Sequence, residues 1–198
     1  MDKLIIASKN DGKIREIISI LRPLGIKILT YDKFSEWPDL PEVDYSYARN
    51  SIMKAKTVCE YFNLPALADD SGLEVDFLGG RPGPLSSRYS GINASSLQNI
   101  EKLLEELRNC PDDKRTARFR AVACIAIPGN KLCIASGTCE GRISHHMAGK
   151  GGFGYDPIFI PSGFNISMAE LTLKQKNEIS HRAKSVRLVS KVSRLRSI

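Results

Sequence analysis

Two adjacent carboxylates, Asp69 and Asp70, follow a short apolar segment and precede a serine and a glycine. Neighbouring residues of a strand face opposite ways, so we expect only one of the two to face a given cleft. A sulfur-free set of oxygen ligands suits Mg²⁺, which binds one or two carboxylates and completes its shell with waters and phosphates. Glu42 and Asp156 are further candidate ligands. The alternative is a turn at the end of a strand, because Asp, Ser and Gly are common turn residues.

Residues 8–13, Ser-Lys-Asn-Asp-Gly-Lys, lie between a predicted strand and a predicted helix. The N-terminus of a helix offers backbone N–H groups and a favourable dipole to a phosphate, and Asn10 and Lys13 add side-chain donors. The segment lacks the G-x-x-x-x-G-K-[ST] pattern of a P-loop. It is therefore either a phosphate site of another kind or a plain Asn-Asp-Gly turn.

Residues 149–157 read Gly-Lys-Gly-Gly-Phe-Gly-Tyr-Asp-Pro. Glycine lets a backbone approach a ligand closely, and Phe153 or Tyr155 offers a flat face on which a base can stack. This combination favours a nucleotide ligand. A flexible connector before a strand at Ile158 is the alternative.

A fourth polar cluster, Ser180-His181-Arg182, opens the last predicted helix. Ser180 is a candidate N-cap, which would hold the next two side chains in the first turn. Arginine binds a carbonyl or phosphate oxygen with its fork of donors, and histidine can donate as well. Solvent exposure of both side chains is the alternative.

Composition limits the class of protein. A chain of 198 residues with 42% hydrophobic side chains can bury a sizeable core without a metal or disulfide, as one compact domain or two intimate lobes. It shows neither a signal segment nor a membrane-spanning stretch, so we expect a cytoplasmic protein without a membrane partner. Five cysteines without C-x-x-C spacing predict reduced, partly buried thiols.

The net charge of +7 lies at the C-terminal end of the chain. Residues 174–198 contain eight basic residues and one acidic residue, and the remainder is balanced. A neutral body with one basic segment suits a small polyanionic ligand about as well as it suits RNA.

These clusters must be positioned by an alternation of strands and helices. The pattern predicts strands at residues 4–7, 26–30, 66–68, 116–127 and 132–140, and helices at about 47–62, after Ser95 or Ser96, and from about Ser180. A helix after the first strand places Ile14, Ile17, Ile18 and Leu21 on one face, and the helix after Ser95 buries Leu97, Ile100, Leu103, Leu104 and Leu107. Such alternation, with one long hairpin, favours an α/β fold with a mixed sheet.

Seven motifs occur in one order along the chain. They are Ser8-x-Asn10-x-x-Lys13, Asn50-x-x-x-Lys54-Ala55, Leu-Ala-Asp-Asp-Ser-Gly-Leu at 67–73, Gly79-Gly80-x-Pro82-Gly83, Ser-Arg-Tyr-Ser-Gly at 87–91, Gly-Gly-Phe-Gly-Tyr-Asp-Pro at 151–157 and Ile-Ser-His-Arg at 179–182. In this order they closely resemble the inosine triphosphate pyrophosphatase family, from Leu4 to about Leu195.

The resemblance implies an α/β fold with a long central mixed sheet and flanking helices, forming two lobes around a substrate cleft. It implies one pyrophosphatase domain over residues 1–198, without a linker, in a homodimer. The implied reaction is hydrolysis of ITP, dITP, XTP or dXTP to the monophosphate and pyrophosphate, with one Mg²⁺ per subunit. The implied partner is a small nucleotide, and we expect no nucleic acid.

The resemblance also implies roles for particular residues. Asp70 matches the catalytic carboxylate and, with Glu42, the metal ligands. The residues implied to bind substrate are Ser8, Lys9, Asn10, Asp11, Gly12, Lys13, Lys54, Ser71, Phe153, Gly154, Tyr155, Asp156, Lys176, His181 and Arg182. Donors from His181 or Arg182 would favour hypoxanthine, whose O6 is an acceptor, over adenine, which carries an amino group there.

Two positions depart from the family pattern. Arg49 stands where an acidic residue is common, and Arg81 replaces a usually small residue. Three other functions remain open. A related pyrophosphatase of modified pyrimidine nucleotides would typically carry a Ser-Pro-Arg-Arg run in its first loop, which residues 8–13 lack. An RNA-binding module would bind polynucleotides with a steep dependence on salt concentration. A purely structural protein would leave the clustering of polar residues at strand ends unexplained.

Overall fold

The computed structural model describes residues 2–40 and 46–193. Its helices are α1 (Asp11–Leu21), α2 (Tyr47–Phe62), α3 (Ser96–Glu106), α4 (Leu173–Ile179) and α5 (His181–Val192). Its strands are β1 (Lys3–Ile6), β2 (Lys27–Leu29), β3 (Ala66–Val75), β4 (Thr116–Ile127), β5 (Lys131–Ile143) and β6 (Phe159–Pro161).

The six strands form one mixed sheet in the order β2-β1-β3-β4-β5-β6. Strand β1 is parallel to both of its neighbours, with Ile5 opposite Leu29 of β2 and Ala66 of β3. Strand β6 is antiparallel to β5, with Gly141 opposite Pro161. The predicted α/β fold with a long mixed sheet is therefore confirmed.

The chain divides into two compact units. The first contains the residues up to Asp70, Ala121–Gly137 and the segment from His181, and the second contains Ser71–Arg120 and Thr138–Ser180. The expectation of a single catalytic domain stays a prediction.

In the first unit, the parallel strands are buried on both faces, because β1 and β3 send alternate side chains into two separate cores. Leu4 and Leu67 pack in one core, which also contains residues of α1 and α5. Ile5 and Ala68 pack in the other, which contains residues of α2. Alternation along β3 therefore gives consecutive residues different helical neighbours.

The second unit has one core, which joins β3 residues such as Leu73 to α3, β4 and β6. Phe119 and Phe159 meet there with ring centroids 4.6 Å apart. Helix α3 begins with a capping box in which Ser95 and Gln98 exchange side-chain and backbone hydrogen bonds, so Ser95 is its N-cap.

Three sequence expectations about the elements are wrong. Leu97 is exposed, although it was predicted to be buried. Ile18 is exposed, although it was predicted to share a face of α1 with residues that are buried, and Glu16 is buried on α1 beside those apolar residues. Strand β3 does not end at Ala68 but continues through the two aspartates to Val75. The turn preference of Asp-Asp-Ser-Gly is overridden because both carboxylates find charged partners within the fold.

All five cysteines are free, as predicted, and all are buried rather than partly buried. Within the described residues, none of the helices combines the length and apolar character needed to cross a bilayer.

Candidate active site

Asp70 lies in the middle of β3 and is held by two side chains of α2. Its Oδ1 accepts a hydrogen bond from Lys54 Nζ at 3.0 Å, and its Oδ2 accepts one from Asn50 Nδ2 at 3.0 Å. Asn50 and Lys54 are four residues apart, so they share one face of the helix. The side chains of Lys54 and Asp70 are only 8% and 6% exposed. The predicted catalytic carboxylate is thus buried, oriented and paired with a cation.

Asp69 points to the opposite face of β3, towards α1 and α5. Its Oδ2 accepts a hydrogen bond from Arg182 Nε at 3.0 Å and lies 3.5 Å from Lys13 Nζ. Lys13 Nζ also donates to the backbone oxygen of Asp69 at 3.3 Å. A second carboxylate, Glu16 of α1, accepts from Arg182 Nη1. Two acids and two cations therefore form a chain of contacts in the first unit.

These contacts shift the pKa values of the buried groups. Burial alone would raise the pKa of Asp69, but the positive charges of Arg182, Lys13 and Lys54 hold it well below its ordinary value. Burial alone would lower the pKa of Arg182, and the negative charges of Asp69 and Glu16 raise it instead. Both groups therefore stay ionised near neutral pH.

The loop of residues 8–13 is folded against the N-terminus of α1. Asn10 is the N-cap, and its side-chain oxygen accepts a hydrogen bond from the backbone N–H of Lys13 at 3.0 Å. The Ser8 hydroxyl oxygen accepts one from the N–H of Asn10 at 3.1 Å. This local network, rather than a P-loop, shapes the segment and places Lys13 in the first helical turn.

The second unit contains its own buried pair, Asp156 and Lys176. Lys176 Nζ donates to Asp156 Oδ2, and the same oxygen accepts from the backbone N–H of Phe153 at 2.8 Å. Lys176 Nζ lies 5.1 Å from the centroid of the Phe153 ring. Lys176 comes from α4, a helix that the sequence interpretation missed although Thr172 and Gln175 form a capping box.

Gly152 of this loop lies close against the carboxylate of Asp156. Gly152 has a φ of +70°, and a Cβ atom there would lie 2.0 Å from Asp156 Oδ2. The backbone must therefore approach the carboxylate more closely than any other residue would allow.

The expectation of an exposed aromatic pair is wrong for Tyr155. Its ring belongs to the core of the second unit, and its hydroxyl donates to the backbone oxygen of Ser86 at 3.0 Å. Burial raises the pKa of Tyr155. Phe153 is half-buried, so it is the aromatic residue of the pair with a partly accessible ring.

The other predicted site residues are placed as follows. Gly12 lies in the first turn of α1, Ser71 is half-buried on β3, Gly154 has a φ of +60°, and His181 is buried at the start of α5. Lys9 is exposed, and Asp11 Oδ1 accepts a hydrogen bond from the Tyr31 hydroxyl at 3.4 Å. Glu42 lies outside the described residues.

The Asp70 carboxylate supplies oxygen atoms, which suit a hard cation, while its neighbours Lys54 and Asn50 contact it through nitrogen atoms and are not metal ligands. Within residues 2–40 and 46–193, no cluster of three or more His, Cys, Asp or Glu side chains forms a metal cage. Mg²⁺ does not need such a cage, since one or two carboxylates suffice when phosphates and waters supply the other ligands. The residues present therefore fit Mg²⁺ bound together with a polyphosphate.

Glu16 was missing from the sequence analysis, Asn50 was named there only as part of a motif, and Asp69 only as one of two adjacent carboxylates. Asn50 shares a helix face with Lys54, and that spacing is a usable signal. Glu16 interrupts the apolar face of α1, and a charged residue at such a position indicates a buried partner. Neither pattern identifies the partner. Arg182, the partner of Glu16, is distant in the sequence, and Asp70, the partner of Asn50, lies on a different element.

Comparison with known proteins gives similarity over nearly the whole chain. A sequence profile of the Ham1 family matches residues 4–192. The dITP/XTP pyrophosphatase of Geobacillus kaustophilus is 42% identical over 186 residues, covering 94% of this chain and 91% of the relative. That of Geobacter sulfurreducens is 44% identical over 189 residues, covering 96% and 95%. The structure of a HAM1 protein from Coxiella burnetii matches with a TM-score of 0.86 at 39% identity, covering 98% of this chain and 99% of that one.

Proposed function

This chain belongs to the Ham1 family, and from that membership we propose that it hydrolyses dITP, ITP, XTP and dXTP to the monophosphate and pyrophosphate. It is an enzyme, a nucleoside triphosphate pyrophosphatase that cleaves a phosphoric anhydride bond. The observation that carries the substrate assignment is the similarity to relatives named dITP/XTP pyrophosphatases, together with the buried, cation-paired Asp70.

The reaction breaks one phosphoric anhydride bond. The oxygen of a water molecule bonds to the α-phosphorus, and the bond from that phosphorus to the oxygen bridging the α- and β-phosphates breaks. Pyrophosphate leaves with the bond electrons, and the water gives up a proton. Positioning and charge neutralisation supply most of the catalysis in such displacements.

The first unit supplies the cations for this step. Lys13 contacts the Asp69 carboxylate and Lys54 contacts the Asp70 carboxylate, and we assign both lysines to the triphosphate together with the N-terminus of α1. Asp70 is the candidate base for the attacking water. Lys54 donates a hydrogen bond to the Asp70 carboxylate, and a carboxylate so oriented can accept a proton.

Mg²⁺ is part of the proposal, with Asp70 as a ligand and Glu42 as the second ligand implied by the resemblance. When bound, the ion would neutralise charge on the phosphates and orient them. A homodimer and a cytoplasmic location complete the proposal, and the five free cysteines are consistent with a reducing compartment.

Base selection is assigned to donors that meet O6 of hypoxanthine or xanthine, because adenine presents an amino group at that position. His181 and Arg182 are the predicted donors to O6. Phe153, Asp156 and Lys176 of the second unit are predicted nucleotide contacts, of which Lys176 can donate through its ammonium and the Asp156 carboxylate can only accept. Arg182 remains a predicted contact, although its guanidinium already donates to two carboxylates.

The proposal is tested by pyrophosphate release from dITP, XTP, dATP, dGTP and dTTP at equal concentrations with Mg²⁺. Rapid release from dITP and XTP, with slow release from the other three, is the expected result. Preferred release from dTTP would favour a pyrimidine pyrophosphatase instead. No release from any substrate would contradict the proposed activity.

A further inference from the structure

Asp69 is a buried carboxylate to which the proposed reaction gives no part. Its side chain is fully buried, and it faces away from Asp70 because consecutive strand residues alternate. A charged group in such a place is costly unless it is paired, so its partners indicate what it does.

The partners of Asp69 are two cations from different helices. Oδ2 of Asp69 contacts both Lys13 of α1 and Arg182 of α5. Lys13 is held twice, because its ammonium also donates to the backbone oxygen of Asp69. Two contacts to one residue of a rigid strand restrict the lysine far more than a single surface ion pair would.

Lys13 keeps some accessibility despite these contacts. Its side chain is 14% exposed, whereas that of Arg182 is 2% exposed. Lys13 also lies in the first turn of α1, where the helix dipole favours an anion. The ammonium of Lys13 is held by Asp69 while its side chain stays partly accessible, and such a lysine can bind a ligand.

Glu16 provides a contrast within the same network. It contacts Arg182, which lies between the two carboxylates. Removing the charge of Glu16 leaves Arg182 paired with Asp69. Removing the charge of Asp69 leaves Arg182 paired with Glu16 and takes the carboxylate away from Lys13. The two carboxylates are therefore separable by mutation.

We propose that Asp69 is a positioning residue that holds the Lys13 ammonium for the polyphosphate of the substrate. Glu16 supports Arg182 and has no such role. This inference rests on the proposed function, because Lys13 serves the triphosphate only if a triphosphate is the substrate.

The test uses inorganic tripolyphosphate, which carries the phosphates without a base. Its binding to the wild type, Asp69→Asn and Glu16→Gln is measured by calorimetry at one fixed Mg²⁺ concentration. We expect Asp69→Asn to weaken binding about tenfold, the effect of roughly 1.4 kcal/mol. Glu16→Gln should stay within about twofold of the wild type. Asp69→Asn should also raise KM for dITP by more than it lowers kcat.

A double-mutant cycle identifies the partner. In a Lys13→Met background, Asp69→Asn should weaken tripolyphosphate binding no further, because its effect acts through the lysine. Equal losses in Asp69→Asn and Glu16→Gln would mean a merely structural role and would overturn the inference, as would unchanged binding in Asp69→Asn or failure of the wild type to bind.

A charge-balanced background covers the case in which Asp69→Asn alone does not fold. With Glu16→Gln and Arg182→Met combined, Asp69 keeps Lys13 as its partner in this network. Adding Asp69→Asn to that background should again weaken tripolyphosphate binding about tenfold. Tripolyphosphate binding that depends on Asp69 without hydrolysis of dITP would reject the proposed activity and leave the inference standing. Hydrolysis of dITP together with tripolyphosphate binding that does not depend on Asp69 would reject the inference alone.

Discussion

Each unit of the molecule contains a pair of side chains, an aspartate and a lysine, that are both almost fully buried. In the first unit Asp70 and Lys54 lie on a strand and a long helix, and in the second Asp156 and Lys176 lie on a glycine-rich loop and a short helix. Both pairs are almost inaccessible to solvent. The difference lies in what else each carboxylate contacts.

Asp70 receives side-chain donors from one helix, whereas Asp156 also receives a backbone N–H, that of Phe153. A carboxylate that accepts hydrogen bonds from side chains can exchange such a partner for water or a ligand without unfolding the chain. A carboxylate that accepts from the backbone determines the conformation of its loop. We therefore assign chemistry to the Asp70 pair and orientation of the loop to the Asp156 pair.

The largest expected effect is on turnover by Asp70→Asn. Loss of the base and of the anionic metal ligand should lower kcat for dITP by roughly 100- to 10,000-fold. Steady-state pyrophosphate release measures this, with circular dichroism as a check on folding. Asp76→Asn is the matched control, because Asp76 forms an exposed ion pair with Arg118. This variant should hydrolyse dITP at the normal rate. Near-normal turnover by Asp70→Asn would remove Asp70 from the chemistry.

Asp156→Asn should act on selection rather than on the chemical step. The Phe153 N–H loses a charged acceptor and Lys176 loses its counterion, so the loop should lose its fixed orientation. Hydrogen bonds to charged groups contribute about 1.5–3 kcal/mol, so the preference for dITP over dATP should narrow by roughly tenfold or more. The measurement is the ratio of kcat/KM for the two substrates. Asp112→Asn, which removes an exposed carboxylate of the same unit, should leave the ratio unchanged.

Two glycines sharpen the assignment of the loop. Gly152 and Gly154 both have positive φ, so alanine is strained at either position. Only at Gly152 would the added Cβ strike Asp156; at Gly154 nothing lies within 4 Å. Gly152→Ala should therefore raise KM for dITP and lower the melting temperature more than Gly154→Ala. Equal effects would mean that strain alone, and not the Asp156 contact, accounts for both.

The smallest expected effect at neutral pH concerns Cys124, which packs in the core that also contains Ala68 of β3. Burial raises the pKa of Cys124 from 9.0 to about 12. Because the folded pKa is higher than the unfolded one, the stabilising contribution of the neutral thiol is present below pH 9.0 and is lost as pH rises towards about 12. In urea unfolding experiments, Cys124→Ala should reduce the loss of unfolding free energy at alkaline pH. It should not change how that free energy depends on pH near pH 7. An identical alkaline fall in both proteins would contradict the burial of the thiol.

The first unit shows which features a sequence can predict. Helix α2 and the hairpin strands were predicted closely, because their hydrophobic periodicity is local. The continuation of β3 through Asp69 and Asp70 was not, since the turn preference of those residues is also local. Their charged partners come from α1, α2 and α5, which the fold alone brings together.

The second unit shows the same limit for the site. The sequence located the Gly152 to Asp156 loop, yet it could not tell that Tyr155 is buried and Phe153 is not. Both are aromatic residues in a glycine-rich segment, and the distinction depends on the Ser86 carbonyl, which is distant in the sequence.

The assignment of separate roles to the two buried pairs is tested most directly by competitive binding of dITP and dATP to Asp70→Asn and Asp156→Asn. We expect Asp70→Asn, which should not turn over, to keep the wild-type ratio of the two dissociation constants. Asp156→Asn should narrow that ratio by roughly tenfold. A changed ratio in Asp70→Asn with a preserved ratio in Asp156→Asn would contradict the division of roles between the two pairs.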